Sequence, residues 1–248
     1  MNRIQLLLLV IICLSSCLPL PEKEVVDKPI HTHEAIFQSI HKHANRQHSD
    51  SIRILLAHPN KFVRAAAAEV CGSIKQREYI SMLKTALQDS SIEVRSAAVY
   101  SLGQIGDPSS EGILIRSFSS QDSIHGENTT YNRMVLEAIG KLGSKQSLEN
   151  ISSVKSYTDD DSELLLGQAK SIYNFALRDI YSKSGTERMN YLLTNARVTE
   201  QIRTIAANYF YRAKSIDIEP YKYQIAKLVK EGTTPDIRMG CAAALSKT

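Results

Sequence analysis

Long apolar runs are missing from this 248-residue chain, and so are tryptophan, blocks of like charge and any dense set of cysteines. The apolar stretch at 6–14 is far shorter than the roughly 20 residues a membrane-spanning helix needs. With Arg3 as its only charge, the segment 1–16 reads as an export signal. The 30 basic and 26 acidic residues give a net charge of +4, which falls to +3 once Arg3 leaves with the signal. No Lys or Arg block stands out, which argues against a nucleic-acid partner. Of the four cysteines, Cys13 lies in the signal and Cys17 directly follows it, leaving Cys71 and Cys241, 170 positions apart. That is too few for a disulfide framework. A bridge needs Cα atoms within about 7 Å, so both are expected to be small buried hydrophobes. Catalytic signatures are missing too. There is no Gly-x-Ser-x-Gly, no His-Glu-x-x-His and no phosphate-loop glycine pattern, since Gly140 and Lys141 lack the preceding glycine. The expectation is a non-enzyme with no cofactor, no metal and no small-molecule substrate.

What the amino terminus does contain is Leu14, Ser15, Ser16 and Cys17. This tetrad resembles a bacterial lipoprotein box, and the resemblance implies that Cys17 becomes the lipidated first residue of the mature chain. Acyl chains would then replace the removed peptide as the membrane attachment. Leu18 carries no inner-membrane retention signal of the aspartate type and tilts the reading to the outer membrane. Pro19, Pro21, Glu22, Lys23 and Glu24 suit a solvated tether. The domain reading is a signal at 1–16, a flexible tether at 17–32 and a folded unit at 33–248.

The folded unit has helical periodicity and almost no strand signal. Val94 and Arg95 stand ahead of small residues, and the layout recurs. Val63 and Arg64 precede the alanines at 65–68, Ile202 and Arg203 precede Ala206 and Ala207, and Ile237 and Arg238 precede Cys241 and Ala242. Gly72, Gly103 and Gly140 follow at spacings of 31 and 37 residues. A period of this length with two helices per unit predicts an all-α fold, an α-solenoid of about six helical pairs. Inner helices are expected at 61–74, 91–105, 131–142, 161–180, 198–212 and 235–246. Outer helices are expected at 49–57, 78–88, 109–118, 145–155, 185–194 and 219–231, with a capping helix at 34–46. Small residues let inner helices approach closely, and apolar residues such as Ile80, Met82, Leu83 and Leu87 give the outer helices a face for the core. The polar stretch 119–130 reads as a surface loop.

The pattern Asp89, Val94, Arg95, Ala98, Leu102, Gly103, Ile105, Gly106, Asp107, Pro108 resembles the HEAT repeat. The resemblance implies that Arg64, Arg95, Arg203 and Arg238 run along the stack and pair with acidic groups or loop carbonyls. They would be structural connectors that no substrate touches. The third repeat departs, with Asn132 in the aligned place and Arg133 one step later. The fourth, around 166–177, carries no clear copy. A second resemblance is carried by "LLLGQAKSIYNFALR" at 164–178 and "IRTIAANYFYR" at 202–212. These are similar to the helical-repeat arm of bacterial envelope lipoproteins that also carry a cyclophilin-type peptidyl-prolyl isomerase domain. No segment of this chain fits that domain. It implies an alternative function, as the helical-repeat part of such an isomerase.

Three clusters invite a site. Six of the seven histidines fall at positions 31–58, but no pair has the four-residue helical spacing of a chelate. Carboxylates alternate at Asp159, Asp161 and Glu163, yet Leu164 stands where a calcium loop needs glycine. They are expected to cap a helix start instead. Eight of the eleven tyrosines lie from Tyr157 onward. Tyrosine pairs apolar area with a hydroxyl and suits interfaces. Tyr209 and Tyr211 are two apart on a helix and cannot both be core, so at least one, with Arg212, is a candidate lining for a partner groove. Asp122, Ser123 and Ile124 have the small form of a bacterial O-glycosylation acceptor. Together these readings predict a lipid-attached protein-binding scaffold of the cell envelope.

Overall fold

The computed structural model describes residue 40, residues 49–118 and residues 128–247. The signal, Cys17, the tether, most of the 34–46 helix, the histidines other than His58, and Ser123 lie outside the described residues. Among residues 49–118 and 128–247, twelve α-helices follow one another: α1 (Ser49–Leu56), α2 (Lys61–Ile74), α3 (Ile80–Ala86), α4 (Ile92–Ile105), α5 (Glu111–Ser117), α6 (Thr129–Leu142), α7 (Lys145–Ser153), α8 (Ser162–Leu177), α9 (Lys183–Thr194), α10 (Glu200–Arg212), α11 (Lys222–Glu231) and α12 (Pro235–Leu245). Single 3-10 turns lead into α3, α5 and α11. No strand occurs among the described residues, and none of the described helices is long and apolar enough to cross a membrane.

Local chemistry sets the breaks. Asn60 accepts from the Phe62 N–H to start α2, and Thr199 and Thr234 do the same for α10 and α12. Gly106 ends α4 at φ 72°, a left-handed conformation that costs glycine nothing. Asp107 and Pro108 then open the next turn. Thr129 and Thr130 are helical, so α6 starts earlier than the loop reading of 119–130 allowed. Asp161 does not cap α8. Its carboxylate turns back to accept from the Thr158 N–H at 2.7 Å and the Thr158 hydroxyl at 3.1 Å, closing the loop ahead of the helix.

The even-numbered helices form the spine, each packed against the next from α2 to α12, while the odd-numbered helices lie along one side of it. Between the two layers runs one continuous core that includes Leu83, Leu102, Leu114, Leu148, Phe175, Leu192, Phe210 and Ile225. Each such side chain contributes about 1.5–3 kcal/mol on burial. Ile40, helical and buried, belongs to the same core. Small residues hold the spine together. A Cβ on Gly72 would lie 2.6 Å from Ser101 Oγ, and one on Gly140 would lie 2.6 Å from the Ser171 backbone. Ser101 uses this closeness to donate to the Ala68 carbonyl at 2.7 Å. The fourth repeat, lacking the Val-Arg motif, still stacks. Its α8 brings Ser171 against Gly140 and Gly167 against Arg133, while Asn174 and Arg178 donate to the carbonyls of Glu137 and Gly140.

Candidate binding face on the inner helices

The repeated arginines face the seams between repeats. Arg64 grips Asp89 with two bonds, Nε to Oδ2 at 2.8 Å and Nη2 to Oδ1 at 2.9 Å, and its Nη1 donates to the carbonyls of His58 and Pro59. Arg95 donates to the carbonyls of Asp89 and Ser90, and Arg238 to that of Gly232. In each case the acceptors lie five or six residues back, in the turn that leaves the outer helix. Carbonyl oxygens concentrate negative charge there and a guanidinium is favoured. Arg203, 5% exposed, reaches Leu193 O at 3.2 Å and crosses to Thr233 Oγ1 of the next repeat at 3.1 Å. Arg133 does different work, bridging Glu137 on its own helix and Glu163 on α8. The Arg64 bond is the main reason the Asp89 carboxyl is held below its ordinary range.

Inner helices α4 to α10 each pack on two inner neighbours and on outer helices, α2 and α12 pack on one described inner neighbour each, and one side of α2 and α4 opens as a groove. On α2 that side carries Phe62, Ala65, Glu69 and Ser73; on α4 it carries Glu93, Ser96, Ala97 and Tyr100. The spacings of three and four put each set on one helical face. Together with Met134 of α6 they enclose an open groove of about 620 Å³. Tyr100 is 45% exposed within it. Glu93 accepts from the Ser91 hydroxyl and lies 3.1 Å from the Lys61 ammonium. The Ser91 bond, its own backbone N–H and Lys61 lower its pKa to about 2, so the groove carries a fixed anion. The polar band continues where Lys170 of α8 meets Glu137 of α6 at 3.0 Å.

Of the tyrosines singled out in the sequence, the structure separates one from the other. Tyr209 is not a surface residue. It is 1% exposed, stacked edge-on against Phe210, and its hydroxyl shares a 2.7 Å hydrogen bond with Thr186. Burial pushes its pKa up to about 12. Its position in the α10 face toward α9 required an apolar body, and Thr186 satisfies the one polar atom. Tyr211 is 40% exposed at the end of α10, with the exposed Arg212 guanidinium 5.2 Å from its ring centre. The sequence does not mark the groove residues, because the tyrosine enrichment starts at Tyr157 and Tyr100 stands outside it. The available signal was a carboxylate and an aromatic recurring at helical spacing on a face otherwise free of large aliphatic side chains.

Cys71 and Cys241 are free, buried thiols, pushed by burial up to about 12 and about 11. Asp159 meets Asn195 Nδ2 at 2.7 Å, tying the loop before α8 to the end of α9. Among the described residues, no three His, Cys, Asp or Glu side chains gather where a metal ion could sit.

Residues 50–124 match the family of HEAT repeats. No curated protein matches the chain. Among solved structures, the archaeal HEAT-like repeats protein from Thermococcus onnurineus aligns with a TM-score of 0.58 at 15% identity, covering 89% of this chain and 97% of that one. A chain from the complex of CpcE and CpcF of phycocyanin lyase from Nostoc sp. aligns with a TM-score of 0.54, also at 15% identity, covering 94% of this chain and 97% of that one. At such identities the likeness is one of fold. The described chain is an α-solenoid of HEAT-like repeats, and its segment 50–124 carries that family's sequence pattern.

Proposed function

We propose that this chain is a non-enzymatic scaffold that holds a protein partner along the uncovered side of its inner helices, attached to the bacterial cell envelope through lipid on Cys17. The observation that carries the reading is the groove across α2, α4 and α6, an aromatic and carboxylate-lined hollow on the one side of the spine that the outer helices leave open. Solenoids build extended binding surfaces by repeating one unit, and affinity then comes from area with a few aromatic contributors. One fold neighbour is a chain taken from a two-protein complex, which supports assembly with a partner as a use of this fold. The exposed Tyr211 and Arg212 offer a second contact patch at the far end of the spine.

Affinity capture from solubilised membranes, with the mature chain as bait, tests the binding claim. A specific partner is expected to be recovered in stoichiometric amount and to be reduced by Tyr211→Ala at an unchanged melting temperature. No partner above background, in the wild type, would contradict it. Metabolic labelling with a tritiated fatty acid tests the attachment: the wild type takes up label and sediments with membranes, while Cys17→Ser loses both. Label retained by the Cys17→Ser chain would remove Cys17 from that role.

A further inference from the structure

We propose that Gln168 is the connector of the fourth repeat, a neutral joint that makes α7, α8 and α9 open and close as one unit through the buried Arg188. The other repeats show what the joint replaces. Arg64, Arg95, Arg203 and Arg238 are each the fourth residue of their inner helix. Each donates to carbonyls in the last turn of the preceding outer helix or in the turn just past it. Ser171 seats on Gly140 as Ser101 seats on Gly72, and six residues before these serines stand Leu165 and Arg95. Leu165, the fourth residue of α8, is buried and apolar, so the guanidinium place of this repeat holds no donor.

Gln168 makes the missing bonds from about one turn deeper in the helix. Its Nε2 donates to Ile151 O at 2.6 Å, in the last turn of α7, and to Val154 O at 2.9 Å, just past that turn. An amide also accepts, which a guanidinium cannot, and Gln168 Oε1 takes the Arg188 Nε–H at 2.7 Å. Both side chains are buried. Among the described residues no carboxylate pairs with Arg188, and the Tyr191 ring centre lies 4.8 Å from its guanidinium carbon. The charge thus comes from α9 and the carbonyls from α7, with one neutral side chain of α8 between them. Hydrogen bonds out of water are strong when complete and costly when half made. Losing either side chain strands the groups that the other one holds, which couples the opening of the three helices.

The test is a double-mutant cycle in urea unfolding of the full chain at pH 7, with Gln168→Met, Arg188→Met and the two together. Each single variant should lower the folding constant about tenfold or more, and the pair should lower it by clearly less than the product of the two. Gln168→Glu sets a carboxylate against Arg188 but brings no N–H to the two carbonyls, so it should also fold less stably than the wild type. Native-state hydrogen exchange of the wild type needs no variant to fold. It should show the amides of α7 and α9 merging into one opening as urea rises. Losses from the two Met substitutions that simply multiply, a Gln168→Glu chain more stable than the wild type, or separate openings of α7 and α9 would each overturn the proposal.

Discussion

At the scale of single residues, the ties between repeats are concentrated in a few charged groups. Asp89 receives two bonds from Arg64 and one from the Ser91 N–H, while its own carbonyl accepts from Arg95. Arg64→Ala strands this half-buried carboxylate and should cost about 2–3 kcal/mol in urea unfolding. Acid sensitivity follows from the same groups. Asp89 and Glu93 both bind protons more weakly in the fold than in the unfolded chain. Between the ordinary carboxylate value of about 4 and the Glu93 value of about 2, the unfolded chain therefore holds more protons. Stability from these groups is fully present above that window and is lost as pH falls through it. Melting temperatures recorded from pH 6 to pH 2 should drop in this range, and Asp89→Asn should make the drop shallower from a lower starting point. The resemblance to the HEAT repeat implied that Arg64, Arg95, Arg203 and Arg238 are connectors along the stack. It did not indicate that Arg203 would cross to Thr233, nor that Tyr209 would be the buried member of its pair. Both depend on which residues the neighbouring repeat presents.

At the scale of helices, the contacts that matter are the closest ones. Gly140 meets the Ser171 backbone with no room for a side chain. Gly140→Val should therefore force α6 and α8 apart and cost at least about 3 kcal/mol. Gly106→Ala instead meets open space and is strained only by its positive φ, a milder loss of about 1 kcal/mol. The two variants, compared by thermal melting, separate close approach from backbone conformation. Helix ends receive similar care. The Lys247 ammonium donates to the carbonyls of Phe210, Tyr211 and Ala213, closing the end of α10 from the end of α12. Helix positions were readable because apolar periodicity and breakers such as Gly106-Asp107-Pro108 act locally. The stacking of α8 was not readable, because Gly167 and Ser171 are small for reasons that lie on α6. The role of Asp161 was also hidden, since the spacing alone does not say whether its carboxylate turns forward into α8 or back to Thr158.

At the scale of the whole molecule, a repeated pair of helices produces a spine, a covering layer and one side left open. The repeat and hence the architecture could be read from the small residues and the Val-Arg layout, since every copy solves the same packing problem. The groove could not. It is built from residues on three different helices, whose register is fixed only when Gly72 seats against Ser101. The account's central claim is that partners bind on the open side of the spine and not on the layer of outer helices. Site-specific photo-crosslinking in intact cells tests it most directly, with benzoylphenylalanine placed at Ser73 of α2, at Ser96 of α4, or at Thr85 and Gln224 on the outer helices. The account predicts one discrete adduct shared by the Ser73 and Ser96 chains and absent from the Thr85 and Gln224 chains. Adducts confined to Thr85 and Gln224, or no adduct at any of the four positions, would contradict it.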